Sequence, residues 1–264
     1  MTLVLVSALF YLLATGLLVT SLHGDRTRSR LWAWPAVVAL AAHGLVHAHA
    51  WQDSGGTDMH FFAALSLVGL GMALLTTLVG LGGRMAALGV VVYPLASTML
   101  LLCAAKGHGT TSGAPLDWRL QLHAWLALLA YATLAVAALL AIMLWLQERA
   151  LRRREFHRWL RALPPLVELE TLLFRTISAG FVLLTATLLT GMLFVQNLLA
   201  QHLVHKTVLS VLSWLTFGAL LVGRWRYGWR GATAVRWTLA AMALLVLAFF
   251  GSKFMLELVL RRGS

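Results

Sequence analysis

Eight apolar runs occupy most of the chain, and each is long enough to cross the hydrocarbon core of a bilayer. They lie at 3–22, 32–50, 60–81, 85–105, 118–146, 172–198, 207–223 and 233–260. A transmembrane helix needs about 20 apolar residues, and a helix makes its backbone hydrogen bonds within its own segment, as a lipid environment demands. The pattern therefore predicts an all-α integral membrane protein: a single bundle of about eight transmembrane helices.

The composition excludes a water-soluble globule. Hydrophobic residues make up 60% of the 264 residues and charged residues only 11%, against about 25% charged residues in an ordinary soluble domain. Because the loops between the runs are short, we expect one polytopic membrane domain over residues 1–264. Its only cysteine, Cys103, excludes an internal disulfide, and the sequence has no CxxC or CxxCH motif.

The positive charge is sorted between the two sets of loops, which predicts the orientation. Of the 21 Lys and Arg residues, 15 fall in one set, and the net charge is +12. Lys and Arg are retained at the cytoplasmic face, so we expect both termini to be periplasmic. Since topology accounts for the charge, we expect no nucleic-acid partner.

One predicted cytoplasmic loop, 147–170, is long and rich in arginine. Phe156, Trp159, Leu160 and Leu163 follow a helical i, i+3, i+4, i+7 spacing there, and Pro164 and Pro165 end the pattern. The spacing predicts a short amphipathic helix on the anionic inner leaflet. A charged connector that only fixes the topology explains the same residues equally well.

Histidine is concentrated on the predicted outer side of the membrane. Eight of the ten histidines lie there: His43, His47, His49, His60, His108, His123, His202 and His205. Charge sorting does not act on neutral imidazole, so another cause is needed. His43 and His47 are four residues apart and share one helix face, and His43 and His123 lie inside predicted spans, where ionisable side chains face a bundle interior or a cavity.

Two metal-binding roles suit imidazoles at that depth, namely axial ligation of a haem iron or binding of a first-row metal ion. The scarcity of carboxylates and thiolates nearby favours haem. Hydrogen bonding between helices is the other role open to these histidines. Most tryptophans lie at the predicted interfaces, as in an aromatic belt, but Trp51 and Trp118 share the outer side with the histidines and could form a flat wall beside a porphyrin.

Several segments resemble the cytochrome c assembly superfamily, which groups CcsA, CcmC and the HemX/YpjD-type inner-membrane proteins. They are the segment 122–134 (LHAWLALLAYATL), the segment 205–210 (HKTVLS) with Trp214, the segment 228–231 (GWRG) and the segment 249–253 (FFGSK). The pattern is most similar to the HemX/YpjD branch. The resemblance implies haem handling near the outer face of the bacterial inner membrane, without covalent catalysis.

Residue by residue, the resemblance implies that haem b is the cofactor. His123 matches the first outward histidine of the family and would be one axial ligand, with His43 or His205 opposite it. Other candidate cofactor-binding residues are His47, Trp51 and Trp118, and Lys206, Lys253 and Arg119 would pair with the haem propionates. Expected partners are haem, the lipid bilayer and other proteins of haem metabolism or cytochrome c assembly.

The chain departs from CcsA and CcmC in two places. The predicted outer segment 196–206 contains no tryptophan where those proteins carry a tryptophan-rich haem-delivery loop, and the segment 251–253 contains no histidine where CcsA has its second outward histidine. A second hypothesis is therefore a membrane scaffold or regulator of haem metabolism, with a vestigial pocket and a docking surface around Arg152–Arg154. A small-molecule permease is disfavoured because the sequence shows no repeat symmetry.

Overall fold

The computed structural model describes residues 1–23, 30–54, 60–82, 86–106, 117–153, 165–194 and 201–251, apart from a few side chains at helix ends. All regular secondary structure in these ranges is helical. Eight helices are long and apolar enough to cross a membrane, which confirms the predicted all-α, multi-pass architecture. These helices pack into two compact units of four.

The first unit contains α1 (Thr2–His23), α2 (Ala33–Ser54), α3 (Phe61–Gly80) and α4 (Gly89–Lys106). Helix α1 packs against α2 and α4, and α3 packs against α4 and α2. Short 3₁₀ turns at Arg30–Trp32 and Ala86–Leu88 lead into α2 and α4.

Aromatic rings fill the core of the first unit. The rings of Tyr11 and Tyr93 are stacked, with centroids 5.8 Å apart, and Trp32 lies against Tyr93. Both tyrosines are fully buried. The phenol of Tyr93 donates to Thr77 Oγ1 at 3.0 Å, since the Thr77 hydroxyl donates to the carbonyl of Ala73.

The second unit contains α5 (Trp118–Arg152), α6 (Leu166–Phe194), α7 (Gln201–Tyr227) and α8 (Gly231–Val246), which continues into a π-helical turn, Leu247–Gly251. Helix α5 packs along α6 and also against α8, and α7 packs against α8 and α6. Gly228 and Gly231 adopt φ values of +66° and +51° in the turn between α7 and α8, a region that glycine enters without steric cost.

An ion-pair cluster joins the ends of three segments of the second unit. Glu170 of α6 is buried, and its Oε1 accepts hydrogen bonds from Arg224 at 2.6 Å and from Arg230 at 3.1 Å. Arg224 also donates to the carbonyl of Trp229, and the Trp229 ring lies 5.1 Å from that of Trp237. The cluster ties the start of α6 to the turn between α7 and α8.

The helices extend further into the loops than hydropathy predicted. Helix α6 begins at Leu166 instead of residue 172, and α7 begins at Gln201 instead of residue 207. Of the loop 147–170, residues 147–152 belong to α5 and 166–170 to α6. The amphipathic pattern itself, at 156–163, lies outside the described residues, and the single-domain organisation and the periplasmic termini remain predictions.

Gly180 is predicted to be required for the tight packing of α5 and α6. A Cβ at position 180 would lie 2.5 Å from Cδ2 and 2.7 Å from Cγ of Leu134, a fully buried side chain with little room to move. We expect Gly180→Ala to lower the thermal unfolding temperature of the detergent-solubilised protein, because overpacking costs about 1–3 kcal/mol.

Gly16→Ala is the matched control, because a Cβ at this helical glycine meets nothing within 4 Å. We expect Gly16→Ala to leave stability unchanged or to raise it slightly, since alanine favours a helix by about 1 kcal/mol over glycine. Equal unfolding temperatures for the two variants would contradict the packing argument.

Candidate functional site

A cavity of about 720 Å³ lies among the four helices of the second unit. This volume is within the range of about 300–1,000 Å³ that small-molecule and cofactor sites occupy. Its walls are mostly apolar, and its polar lining includes His123 from α5, Thr187 from α6, and Lys206 and Ser210 from α7. Because they line the same cavity, His123 and Lys206, two of the residues singled out in the sequence, contribute to one site.

His123 lies close against the backbone of α6. Its Nδ1 is 3.2 Å from Oγ1 of Thr190. A Cβ on Gly191 would lie only 3.1 Å from Cε1 of the imidazole. The ring can therefore approach α6 this closely because position 191 has no side chain.

Two aromatic side chains form flat parts of the cavity wall. Trp214 of α7 donates from Nε1 to Oγ1 of Thr185 at 2.9 Å, and its ring stacks on Phe181 with centroids 5.5 Å apart and planes 15° from parallel. Phe249 lines the cavity from the π-helical turn. The hydrogen bond and the stacking hold the Trp214 indole in one orientation.

The π-helical turn arises where a tyrosine enters the hydrogen-bond ladder of a helix. The phenol of Tyr131 donates to the carbonyl of Leu245 at 2.5 Å and also interacts with the backbone of Phe249. Residues 245 and 249 would be direct hydrogen-bond partners in an α-helix. A side chain inserted between such partners widens the turn, and this places Ala248 and Phe249 in the cavity wall.

Two further candidate histidines, His43 and His47, belong to a polar network in the first unit. His43 is fully buried; its Nδ1 lies 3.2 Å from the hydroxyl of Tyr11 and its Nε2 lies 3.0 Å from Oγ of Ser66. Nε2 of His47 lies 3.0 Å from the same oxygen, and the two imidazoles are stacked 5.5 Å apart. Both nitrogens of His43 are thus engaged in hydrogen bonds that link α1, α2 and α3.

The remaining candidates take less specific positions or lie outside the described side chains. Trp51 is 39% exposed at the end of α2. Trp118 is 63% exposed at the start of α5, where the guanidinium of Arg119 lies 5.6 Å from the centre of its ring. The side chain of His205 and all of Lys253 lie outside the described part of the structure.

Among the described residues, no group of three or more His, Cys, Asp or Glu side chains is placed to hold a metal ion. An imidazole beside an apolar cavity can bind the metal of an organic cofactor.

Sequence patterns alone did not identify Thr190, Gly191 and Tyr131 as residues that shape the cavity. The pair Thr190–Gly191 lies within the sixth apolar run, far from His123 in the chain. It is part of the pattern that is similar to the HemX/YpjD branch, but a small residue beside a hydroxyl in a membrane helix is a usual packing feature. The pattern therefore did not indicate that this pair contacts an imidazole.

The chain belongs to the cytochrome c assembly protein family. The family model described as "Cytochrome C assembly protein" matches residues 31–260, most of the chain, which confirms the resemblance seen in the sequence. This membership indicates a haem-related function in a membrane.

Individual relatives agree with the family assignment. The chain is 31% identical over 226 residues to "Inner membrane protein YpjD" of Escherichia coli (strain K12), covering 85% of this chain and 86% of the relative. It is 38% identical over 150 residues to "Uncharacterized 28.8 kDa protein in nifR3-like 5'region" of Azospirillum brasilense, covering 56% and 55%. It is 28% identical over 131 residues to "Protein HemX" of Brevibacillus brevis, covering 49% and 48%. No solved structure matches the chain.

Ser66 is predicted to stabilise the first unit through the two imidazoles that share its hydroxyl. In Ser66→Ala, Nε2 of the fully buried His43 loses its partner, and a buried polar group left unpaired costs about 1–3 kcal/mol. We expect a clear drop in the thermal unfolding temperature in detergent.

Ser178→Ala is the control for the loss of a serine hydroxyl that bonds only within its own helix. Ser178 Oγ donates to the carbonyl of Phe174 four residues earlier in its own helix, a bond whose loss leaves the helix ladder intact. If Ser66→Ala unfolded at the same temperature as Ser178→Ala, the shared hydroxyl would have no structural importance.

Proposed function

We propose that this protein is a haem-handling protein of the bacterial inner membrane that binds haem b in the cavity of its second unit. Its role is to hold or pass haem, and we assign it no covalent catalysis. The observation that carries the proposal is an imidazole, His123, on the wall of an apolar cavity large enough for an organic cofactor, in a chain that belongs to the cytochrome c assembly family.

The lining of the cavity fits a haem. A porphyrin is a flat, largely apolar ring, and the cavity is lined by the aromatic rings of Trp214 and Phe249 together with aliphatic side chains from α6 and α8. Bound haem would supply an iron centre, and the neutral imidazole of His123 would be an axial ligand. This is the same role that the resemblance assigned to His123 from sequence.

Lys206 is suited to the propionate end of the cofactor. It lines the cavity at the beginning of α7, and an ammonium group forms charge-assisted hydrogen bonds with carboxylates.

The second iron ligand would be His205, which directly precedes Lys206 in the sequence, or His43. His43 is the weaker candidate, because it would have to give up its bond to Ser66 or to Tyr11 before either of its nitrogens could bind iron. His47 is half-buried and shares the Ser66 hydroxyl, so we place it with the structural network of the first unit.

The decisive experiment is an absorption spectrum of protein purified from haem-replete cells. The wild-type protein should show a Soret band, and its reduced α and β bands should be sharp if two imidazoles bind the iron. His123→Ala should lose most of the bound haem, because it removes the ligand from the cavity wall.

Two control variants should keep the Soret band. His49→Ala removes an exposed histidine of the first unit, and alanine at Arg152, Arg153 and Arg154 removes the basic segment that a regulatory docking surface would need. A wild-type protein without a Soret band, or equal haem content in His123→Ala and His49→Ala, would contradict the proposal. If the triple arginine variant lost the cellular function of the protein and His123→Ala kept it, the scaffold hypothesis would be favoured.

A further inference from the structure

The hydrogen bonds around Thr190 determine which nitrogen of His123 carries the proton. The Thr190 hydroxyl has one proton, and it lies within donating distance of two carbonyl oxygens of its own helix, those of Ala186 at 2.9 Å and Thr187 at 3.0 Å. Both carbonyl oxygens lie closer to the hydroxyl than Nδ1 of His123 does, at 3.2 Å, and this favours a hydroxyl proton directed at α6. Oγ1 of Thr190 is then left to accept a hydrogen bond from Nδ1 of His123.

With Oγ1 of Thr190 acting as the acceptor, the neutral ring keeps its proton on Nδ1, and the lone pair is on Nε2.

We infer that Thr190 is a positioning residue for His123: it fixes the Nδ1–H tautomer and the orientation of the ring, so that Nε2 is the nitrogen available to an iron centre in the cavity. The role of Thr190 in iron binding rests on the proposed haem function, whereas the tautomer of His123 does not depend on bound haem. Metal-binding histidines commonly donate their second N–H to a carbonyl or carboxylate, which fixes the tautomer and raises the basicity of the ligand. Here a threonine hydroxyl, itself oriented by the helix backbone, takes that place.

Gly191 completes the arrangement. Because a Cβ at this position would lie 3.1 Å from Cε1 of His123, an alanine would push the ring away from Thr190 by a few tenths of an ångström. The adjacent pair Thr190–Gly191 thus provides both the hydrogen-bond acceptor and the space that the imidazole needs.

The first test uses the protein without haem. In ¹⁵N-histidine NMR spectra of the whole chain in detergent, with His123 assigned by comparison with His123→Ala, we expect wild-type His123 as the Nδ1–H tautomer. Thr190→Val, which replaces the hydroxyl by a methyl group of similar size, should increase the Nε2–H fraction, and Thr190→Ser should restore the wild-type signal.

The second test adds haem. We expect Thr190→Val to weaken haem binding by about tenfold, the lower end of the effect of removing an outer-shell partner, and to raise the reduction potential of the bound iron because the ligand becomes less basic. Thr190→Ser should bind haem like the wild-type protein. Thr176→Val is the matched control, since Thr176 lies on the same helix and its hydroxyl donates to the carbonyl of Leu172, away from the cavity lining.

The outcomes separate this inference from the haem proposal. A wild-type His123 in the Nε2–H form, or a Thr190→Val variant with the tautomer, affinity and potential of Thr176→Val, overturns the positioning role even if haem binds. A protein that binds no haem but shows the Nδ1–H tautomer and its loss in Thr190→Val supports the positioning role and overturns the haem proposal alone.

Discussion

The hydrocarbon core provides no hydrogen-bond partners, so the polar groups that this chain places inside the membrane depend on partners within the protein. Helices satisfy that requirement for the backbone. Side chains need individual solutions, and the two units solve the problem differently. In the first unit, His43 is bonded at both nitrogens to Tyr11 and Ser66. In the second unit, His123 is bonded through Nδ1 alone to a side chain and lines a cavity.

This difference separates a structural histidine from a candidate ligand more clearly than depth in the membrane does. His43 and His123 were both predicted to lie within spans, and hydropathy treats them alike. The distinction comes from neighbours that are remote in sequence, namely Ser66 for one ring and the Thr190–Gly191 pair for the other. In the first network, the Ser66 hydroxyl can both donate and accept, and it bonds Nε2 of His43. In the second, the Thr190 hydroxyl donates within its own helix and accepts from Nδ1 of His123, so the lone pair of that ring is on Nε2.

The number and type of helices could be predicted from sequence because hydrophobic length is a one-dimensional property. Eight runs predicted eight helices, and the structure contains them in its described ranges. The helix ends were harder to predict. Helix α6 begins six residues earlier than hydropathy indicated, since Glu170, which interrupts the apolar run, is neutralised by Arg224 and Arg230. A sequence window registers the charge of Glu170 but not its distant partners.

The candidate site was predictable only in part, because sequence patterns identify unusual residues but not the contacts between helices. His123 and Lys206 stood out as an unusual membrane histidine and as part of a family pattern, and they line one cavity. Trp214 was visible through the same pattern, but its orientation depends on Thr185 and Phe181. The shape of the cavity depends on contacts between helices that periodicity does not encode.

Because of the π-helical turn at the end of α8, one wall of the cavity depends on the hydroxyl group of Tyr131. Tyr131 occupies the gap between the carbonyl of Leu245 and the backbone of Phe249. Without that hydroxyl the two backbone groups would be free to pair directly, and the segment could close into regular α-helix. An α-helical turn contains one residue fewer than a π-helical turn, so the side chains that follow would rotate by about 100° around the helix axis. This rotation would turn Phe249 away from the cavity. The volume available to a ligand in this unit is therefore tied to the presence of one oxygen atom on α5.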